Sequence, residues 1–411
     1  MTVVIRAALA AVDPDPLMRQ ALADSDVDGW LRAATSVDVV AAGKAARAML
    51  AGFRNATPVR SRHVIAITDT PHPVPDDRSA AAAREALDLA AASGRDDMLV
   101  VLLSGGASSM MALPAEGVSL ADKRQTVGEL LRSGAEIHEF NSVRKHLSAI
   151  KGGRLAAACA GSTLTLALSD VVDDDLSAIG SGPTVGDTTT YGRALTILDA
   201  HGGRDRYPAA VVTHLMQGAA GRHAETPKPG DPRLARSHAR VIGRSRTAVE
   251  GVRTAATALG YAVHVIERPT SGEARLAAQM LIDEAARVAG TASAPVCIVA
   301  GGETVVRMPG TGKGGRNQEC ALAMVRGLDG LGRTAVACSV GTDGVDGPTD
   351  AAGAVVDTTT AARAKAAGLG APDRYLDHHN SFIFFDELGD LIQTGPTGTN
   401  VGDVQVILIG G

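Results

Sequence analysis

Aromatic side chains are scarce, at 2% of 411 residues, with one Trp, four Tyr and five Phe. A groove that stacks single-stranded nucleic acid needs such rings, so that class of function is disfavoured. Cysteine is also thin. Cys159, Cys297, Cys320 and Cys338 lie far apart with no CxxC pair, which indicates neither a zinc knuckle nor a disulfide framework. They read as small buried hydrophobes in a reducing compartment, so a cytoplasmic location is expected. Charge of one sign is missing too: 40 Lys and Arg stand against 45 Asp and Glu, a net charge of −5, without long runs. No footprint for nucleic acid or an anionic membrane results. Eleven histidines show no HExxH spacing, which argues against a histidine-bound zinc. The longest apolar runs, such as Met98–Leu103 and Val404–Ile409, fall far short of the ~20 residues that span a bilayer. A soluble protein is expected. The stretch from Met1 to Val12 runs directly into Asp13-Pro14-Asp15-Pro16 and reads as a first helix rather than a cleaved leader.

What the chain does contain is Ala, Val, Leu and Gly, with 45% hydrophobic residues, the palette of helices packed on buried strands. Its length favours two domains. Short β-branched runs alternate with Ala-rich helical segments: strands are predicted at Val37–Ala42, His63–Thr68, Met98–Leu103, Thr163–Leu168, Ala239–Gly243, Ala262–Ile266, Val296–Ala300, Thr334–Val340 and Val404–Ile409. This rhythm predicts an α/β fold with two domains, largely parallel sheets and an active-site cleft between the domains. Periodicity fades from Gly202 to Ser237, where Pro227, Pro229 and Pro232 cluster. A boundary near residue 235 follows, giving an N-terminal Rossmann-like domain over 1–235 and a C-terminal α/β domain over 236–411.

Ligands of open α/β sheets sit beyond the carboxyl ends of the strands, and here those ends carry Gly, Ser, Asp and Lys. Gly43-Lys44 follows the first strand, Ser104-Gly105-Gly106-Ala107-Ser108-Ser109 the third and Ser169-Asp170 the fourth; Gly301-Gly302-Glu303 and Gly341-Thr342-Asp343-Gly344 hold the equivalent places later. In Ser104–Ser109, glycines allow close backbone approach to an anion while Ser104, Ser108 and Ser109 add donors. A tight turn with a serine helix cap is the alternative. Gly310-Thr311-Gly312-Lys313-Gly314-Gly315-Arg316 contains GxGxxG, yet a dinucleotide fold also wants an acid at the end of the next strand, and Asp329 falls in a turn instead. Lys313, Gly314, Gly315 and Arg316 suit a loop that embraces phosphates, although Gly314 stands where a Walker A motif has Ser or Thr. Carboxylates that could serve a metal or a proton transfer are Asp170, the run Asp173-Asp174-Asp175, Asp187, Asp343, Asp346 and Asp350. Asp170 and Asp343 end predicted strands. Lys44 either meets a substrate anion or decorates a helix start, and Arg144, Lys145, Lys151 and Arg154 read mostly as a charged helix face.

In chain order these segments, together with Asn141-Ser142-Val143-Arg144-Lys145-His146, Lys151-Gly152-Gly153-Arg154, Ser181-Gly182-Pro183-Thr184, Arg316-Asn317-Gln318-Glu319 and Pro396-Thr397-Gly398-Thr399-Asn400-Val401, resemble the bacterial glycerate 2-kinase family. The second half resembles that family's MOFRL domain. His72-Pro73-Val74-Pro75-Asp76 belongs to the same set. The resemblance implies transfer of the ATP γ-phosphoryl group to the 2-hydroxyl of D-glycerate, giving 2-phosphoglycerate, with Mg2+ or another divalent metal. It also implies catalytic roles for Lys44 and Arg316. To these the residue reading adds Asp170 as a catalytic group and Asp343 and Asp187 as metal ligands. A small-molecule substrate, no nucleic acid and no membrane are the expected partners, and a homodimer stays open. Competing readings are an NAD(P)H-dependent hydroxypyruvate reductase, a name some family members carry, and a non-catalytic sugar-phosphate-binding protein.

Overall fold

Runs of Val, Leu and Ile with no charge on either face can be satisfied only inside a sheet covered on both sides, and the longest of them form the cores of two sheets. A computed structural model describes residues 1–57, 59–71, 73–171, 173–292, 294–306 and 312–410. Of the residues singled out in the sequence, His72, Gly310 and Thr311 lie outside the described ones.

The chain divides into two compact units. One unit comprises Pro14–Leu168 and Asp173–Ile242. Its strands are β1 (Val37–Ala42), β2 (Ser61–Ile67), β3 (Met98–Leu103), β4 (Ser162–Leu168) and β5 (Ser237–Gly243), ordered β2-β1-β3-β4-β5. Strands β1 to β4 pair in parallel. Every residue of β1 and β3 is buried; β3 is apolar throughout, and the one charge in β1, Asp38, is paired with Arg62 of β2. A helical subdomain sits between β3 and β4 in sequence, with helices Leu120–Arg132 and Ile137–His146. These share an apolar cluster with the later helices Tyr191–Ala200 and Ala209–Ala219, through Leu130, Phe140, Leu198 and Leu215.

The other unit comprises Met1–Asp13, residues 169–172 and Gly243 onward. Its strands are β6 (Ala262–Val265), β7 (Thr270–Glu273), β8 (Val296–Val305), β9 (Ala335–Gly341), β10 (Gly353–Asp357), β11 (Leu391–Ile392) and β12 (Asp403–Ile409). The order is β11-β10-β9-β12-β8-β6, with β7 also on β8. Here the expectation of a largely parallel sheet is corrected. Strands β6 and β7 run parallel to β8, but β12 is antiparallel to both β8 and β9, and β10 is antiparallel to β9 and β11. The helix Arg316–Asp329 does return the chain so that β8 and β9 point the same way. It does not make them neighbours, because the last strand inserts between them and closes the sheet from the opposite direction. Alternation of strand and helix fixes direction, not adjacency. Strands β7, β10 and β11 escape the sequence because they are short and lack a long β-branched run.

The sequence placed the first helix with the N-terminal half and one boundary near residue 235. The chain instead crosses between the units more than once, and β5 completes the first sheet. The helix Thr2–Ala11 buries Val4, Ile5 and Ala8 and packs along Ser245–Ala258, whose Val249 and Val252 are buried in turn. Gly251 permits this approach, since a Cβ there would run into the carbonyl oxygen of Ala7. Gly251→Val should therefore cost about 1–3 kcal/mol by overpacking. Urea unfolding of the full chain measures this, and an unchanged midpoint would disprove the helix contact.

Candidate active site

Within the first unit, the turns after β1 and β3 are stitched together. Gly43 has φ +117° and a Cβ there would strike the Ser104 hydroxyl, so only glycine lets the two turns meet. The N–H of Lys44 donates to the carbonyl of Gly105 at 2.9 Å, and the N–H of Ala45 donates to Ser104 Oγ at 2.9 Å. Lys44 is consequently held, exposed, beside the Ser-Gly loop. Ser104 is fully buried and positions this turn, a more structural role than that of a ligand donor. Gly106, at φ +87°, opens the short helix Ala107–Met110, which carries the nearly buried Ser109. Ser108 Oγ lies 2.6 Å from Ser181 Oγ, and Ser181 in turn donates to Asn141 Oδ1 at 3.1 Å. Ser181 adopts φ +61° between Gly180 and Gly182, both also left-handed, a strained conformation for a residue with a side chain.

Asp187, expected as a metal ligand, is corrected to an internal structural role. Its Oδ1 accepts from Lys145 Nζ at 3.3 Å and from the N–H and hydroxyl of Thr189, and its Oδ2 accepts from Thr226 at 3.0 Å. Burial raises its pKa, but the Lys145 ammonium and the Thr189 donors more than offset this and leave it lowered. A saturated, wholly buried carboxylate has nothing left for a metal.

The second unit gathers the remaining candidates at one end of its sheet. Because β12 runs opposite to its neighbours, its first residue, Asp403, pairs in register with Gly302 near the end of β8 and with Gly341 at the end of β9. Asp403 is fully buried and accepts two bonds from Arg316, Nε at 2.7 Å and Nη2 at 2.9 Å. This is the planar two-point grip that only a guanidinium makes on a carboxylate. Glu303 approaches Nη2 at 3.2 Å. Burial works against the Arg316 charge, and Asp403 and Glu303 overcome it, so its pKa is raised. The Arg316 side chain remains about a quarter exposed.

Arg316 opens the helix Arg316–Asp329, whose cap residue, Gly315, has no side chain. Asp346 supplies the missing cap: its carboxylate accepts from the N–H of Asn317 at 3.0 Å and of Gln318 at 2.8 Å. A Cβ on Gly315 would collide with that carboxylate, which accounts for the glycine. Asn317 Nδ2 donates to Asp403 at 2.9 Å, and Ser339 donates to Asn317 Oδ1 at 2.6 Å. The loop before β12 ties in the other acids. Asn400 donates to Asp170 at 3.1 Å, the N–H of Thr397 donates to the carbonyl of Asp343 at 3.3 Å, and Thr342 is bonded to both Val401 and Gly402. Asp170 and Asp343 are thereby tied to the segment that leads into Asp403, and Glu303 to Arg316 itself.

Lys313 departs from the expected phosphate loop. It is exposed, with Nζ 3.7 Å from the centre of the Phe382 ring. Gly312 and Gly314 lie so close to the turn at His378–Ser381 that a Cβ on either would clash with it. Close packing is what these glycines serve, which weakens both the dinucleotide and the phosphate-cradle readings of the motif. Sequence reasoning missed Asp403 altogether. The available signal was a lone acid directly ahead of the apolar run 404–409. Among the described residues, no cluster of three His, Cys, Asp or Glu side chains could by itself hold a metal ion, and no helix is long and apolar enough to cross a membrane.

Two α/β units carrying Gly- and Ser-rich turns, a held guanidinium and several acids at the ends of their strands define an enzyme acting on small charged molecules. Residues 1–216 match DUF4147, described as a domain of unknown function, and residues 296–403 match the MOFRL family. The chain is 35% identical over 425 residues to D-glycerate 2-kinase of Thermotoga maritima, covering 99% of this chain and 97% of that one. It is 38% identical over 349 residues to glycerate 2-kinase of Pyrococcus horikoshii, covering 84% and 78%. A relative from Agrobacterium vitis, 38% identical over 393 residues, covering 90% and 87%, is named a hydroxypyruvate reductase. The crystal structure of the Thermotoga maritima glycerate kinase superimposes with a TM-score of 0.83 at 34% identity, covering 99% and 97%. The chain belongs to the glycerate 2-kinase family, with a MOFRL domain in its second half.

Two expected outcomes follow from this geometry. Asp403→Asn takes from part-buried Arg316 its two-point charged partner, leaving Glu303 and Asp346 nearby, and should cost about 3–5 kcal/mol in urea unfolding. A loss below about 1 kcal/mol would show that the pair contributes little. Asp346 supplies a test by pH. Burial pushes its pKa up to about 6, the N–H groups of Asn317 and Gln318 offset this only in part, and Asp403 adds repulsion. The folded chain then holds this proton more tightly than the unfolded chain. Stability from the group is complete below its ordinary pKa of 3.8 and is lost as pH rises through about 6. Asp346→Asn removes the titration. The stability difference between wild type and variant should therefore move against wild type by roughly 2–3 kcal/mol between about pH 4 and pH 7. A flat difference would contradict the assignment.

Proposed function

We propose that the protein is an ATP-dependent glycerate 2-kinase, which transfers the γ-phosphoryl group of ATP to the 2-hydroxyl of D-glycerate. The observation that carries this reading is the match, along almost the whole chain, to a D-glycerate 2-kinase. The bond between the γ-phosphorus and the bridging oxygen breaks, the substrate hydroxyl forms the new bond, and ADP leaves. Such a loose transition state asks for positioned positive charge more than for a covalent nucleophile.

In this reading Arg316 meets the transferring phosphoryl group or the glycerate carboxylate, with Asp403 and Asp346 as positioning residues behind it. The grip of Asp403 uses Nε and Nη2, which leaves Nη1 outside those two bonds. Lys44 contributes the second cation from its turn beside the Ser-Gly loop, whose Gly105, Gly106, Ser108 and Ser109 receive phosphate oxygens. Asp170 accepts the hydroxyl proton. Magnesium enters as part of the Mg·ATP substrate; such ions keep several waters and need only one or two protein carboxylates, a role Asp343 fits. Held there, the metal would offset part of the negative charge of the phosphates. Four unpaired, buried cysteines suit the reducing cytoplasm.

Incubation with D-glycerate, Mg2+ and ATP should release ADP and 2-phosphoglycerate. Hydroxypyruvate with NADPH should give no turnover, and the reverse pattern would overturn the proposal in favour of the reductase. Lys44→Ala and Arg316→Lys should each lower kcat and kcat/KM together, by about 100-fold or more, because the charge acts in the transition state. Arg316→Lys is the stricter variant, since lysine cannot both hold Asp403 at two points and reach a ligand. Near wild-type rates in both would return these residues to a structural role.

A further inference from the structure

The helix Leu120–Arg132 buries a lysine that the fold does not use. Lys123 is 4% exposed, and among the described residues its Nζ has no hydrogen-bond partner. A buried ammonium without a partner is among the costliest groups a fold can retain, because it gives up hydration and receives nothing. Its surroundings deepen the problem. Lys151 is wholly buried, and its Nζ donates to the carbonyl of Gly180 at 3.0 Å rather than to an acid. Arg144 sets its guanidinium 4.8 Å above the Phe140 ring. Burial, then the charges of Arg144 and Arg154, draw Lys123 down to about 7; burial, then Arg144 and Lys123, hold Lys151 well below the ordinary lysine range. These cations therefore feel one another. The acids of the same helical subdomain are engaged elsewhere, Asp187 with Lys145 and Glu225 with His146 at 2.9 Å.

The cluster also borders the Ser-Gly loop. Gly180, which receives Lys151, precedes Ser181, and Ser181 joins Ser108 to Asn141, which lies one helical turn before Arg144 on the same face. We propose that Lys123, with Lys151 and Arg144, forms a buried oxyanion-binding site for the small acid of the reaction, holding its carboxylate or, after transfer, its phosphate. Neither residue pattern nor family comparison assigns this site, and the identity of its ligand rests on the kinase reading above. An oxyanion supplies what the fold omits: a charge-assisted acceptor for Lys123 and relief of the repulsion among the cations. Retaining an unpartnered charge also makes the empty protein less stable than it could be, as binding sites commonly are.

The test uses the full chain in phosphate-free chloride buffer, comparing wild type with Lys123→Met and Lys123→Gln by thermal melting and by steady-state kinetics. Wild type should gain Tm on addition of D-glycerate or inorganic phosphate, each probed separately. Lys123→Met should melt above wild type without added anion, since an unpartnered buried charge has been removed, and its anion-dependent gain should vanish. Its KM for D-glycerate should rise about tenfold or more, as expected for losing one charge-assisted bond, with KM for ATP little changed. A structural lysine would behave oppositely: variants that melt lower yet keep the wild-type anion response and KM overturn the proposal. So does a wild type stabilised by none of these anions. A gain produced by ATP alone, and lost in the variants, would reassign the site to nucleotide phosphate and overturn its assignment to the acid. Should wild type fail to phosphorylate D-glycerate, the kinase reading falls, while the inorganic phosphate arm still decides whether Lys123 binds an oxyanion.

Discussion

The ion pair between Asp403 and Arg316 is the constraint around which the second unit is arranged. A fully buried carboxylate is tolerable only with its partners fixed, and Asp403 receives Arg316 at two points and Asn317 at a third. That requirement reaches into the topology. Only a strand running opposite to β8 and β9 can bring its own first residue to the ends where those two finish. The helix must then begin at Arg316 and no later, which explains why its cap is borrowed from Asp346 and why Gly315 leaves room for it. Thr342, through Val401 and Gly402, anchors the segment that delivers Asp403. One pair thus links sheet order, helix start and the placing of the acids Asp170, Asp343 and Glu303.

The first unit solves the placing of charge differently. Lys44 is carried on a turn whose backbone N–H groups, its own and that of Ala45, donate to the carbonyl of Gly105 and to Ser104 Oγ. Glycine at position 43 is indispensable there because both the left-handed φ and the closeness of Ser104 exclude a side chain. The turn of Lys44 is fixed through its backbone, whereas Arg316 is gripped at its guanidinium by Asp403.

Much of this was legible in the sequence. Val37–Ala42 and Met98–Leu103 are recovered as strands residue for residue, because fully buried parallel strands write themselves as short, mostly apolar runs, broken in the first only by Asp38. The glycine and hydroxyl clusters marked the ends of strands, and Asp170 and Asp343 are each tied to the segment that leads into Asp403, the partner of Arg316. Antiparallel insertion of β12 was not legible, since its seven residues are as apolar as a parallel strand after the first and strand direction leaves no mark on composition. Asp187 and Lys313 misled for a common reason: a carboxylate and an ammonium look functional until their partners, Lys145 with Thr226 and the Phe382 ring, are known, and those are distant in sequence or hidden in a turn. Lys151, read as part of a charged helix face, lies instead in the turn ahead of the helix Arg154–Ala158 and is wholly buried, and spacing in the sequence does not separate such a turn from a helix end.

The loop at Gly312–Gly315 shows how one string of residues supports unlike meanings until a neighbour is fixed. Glycines in a dinucleotide turn admit a pyrophosphate to the backbone. Here Gly312 and Gly314 admit protein, the turn at His378–Ser381, and Gly315 admits the carboxylate of Asp346. Each close approach draws the strand-to-helix connection inward and leaves Arg316 as the first residue of the helix. The glycines therefore act through the residue that follows them: they set where the helix starts, the helix start sets the bearing of the guanidinium, and Asp403 then determines which of its edges is engaged.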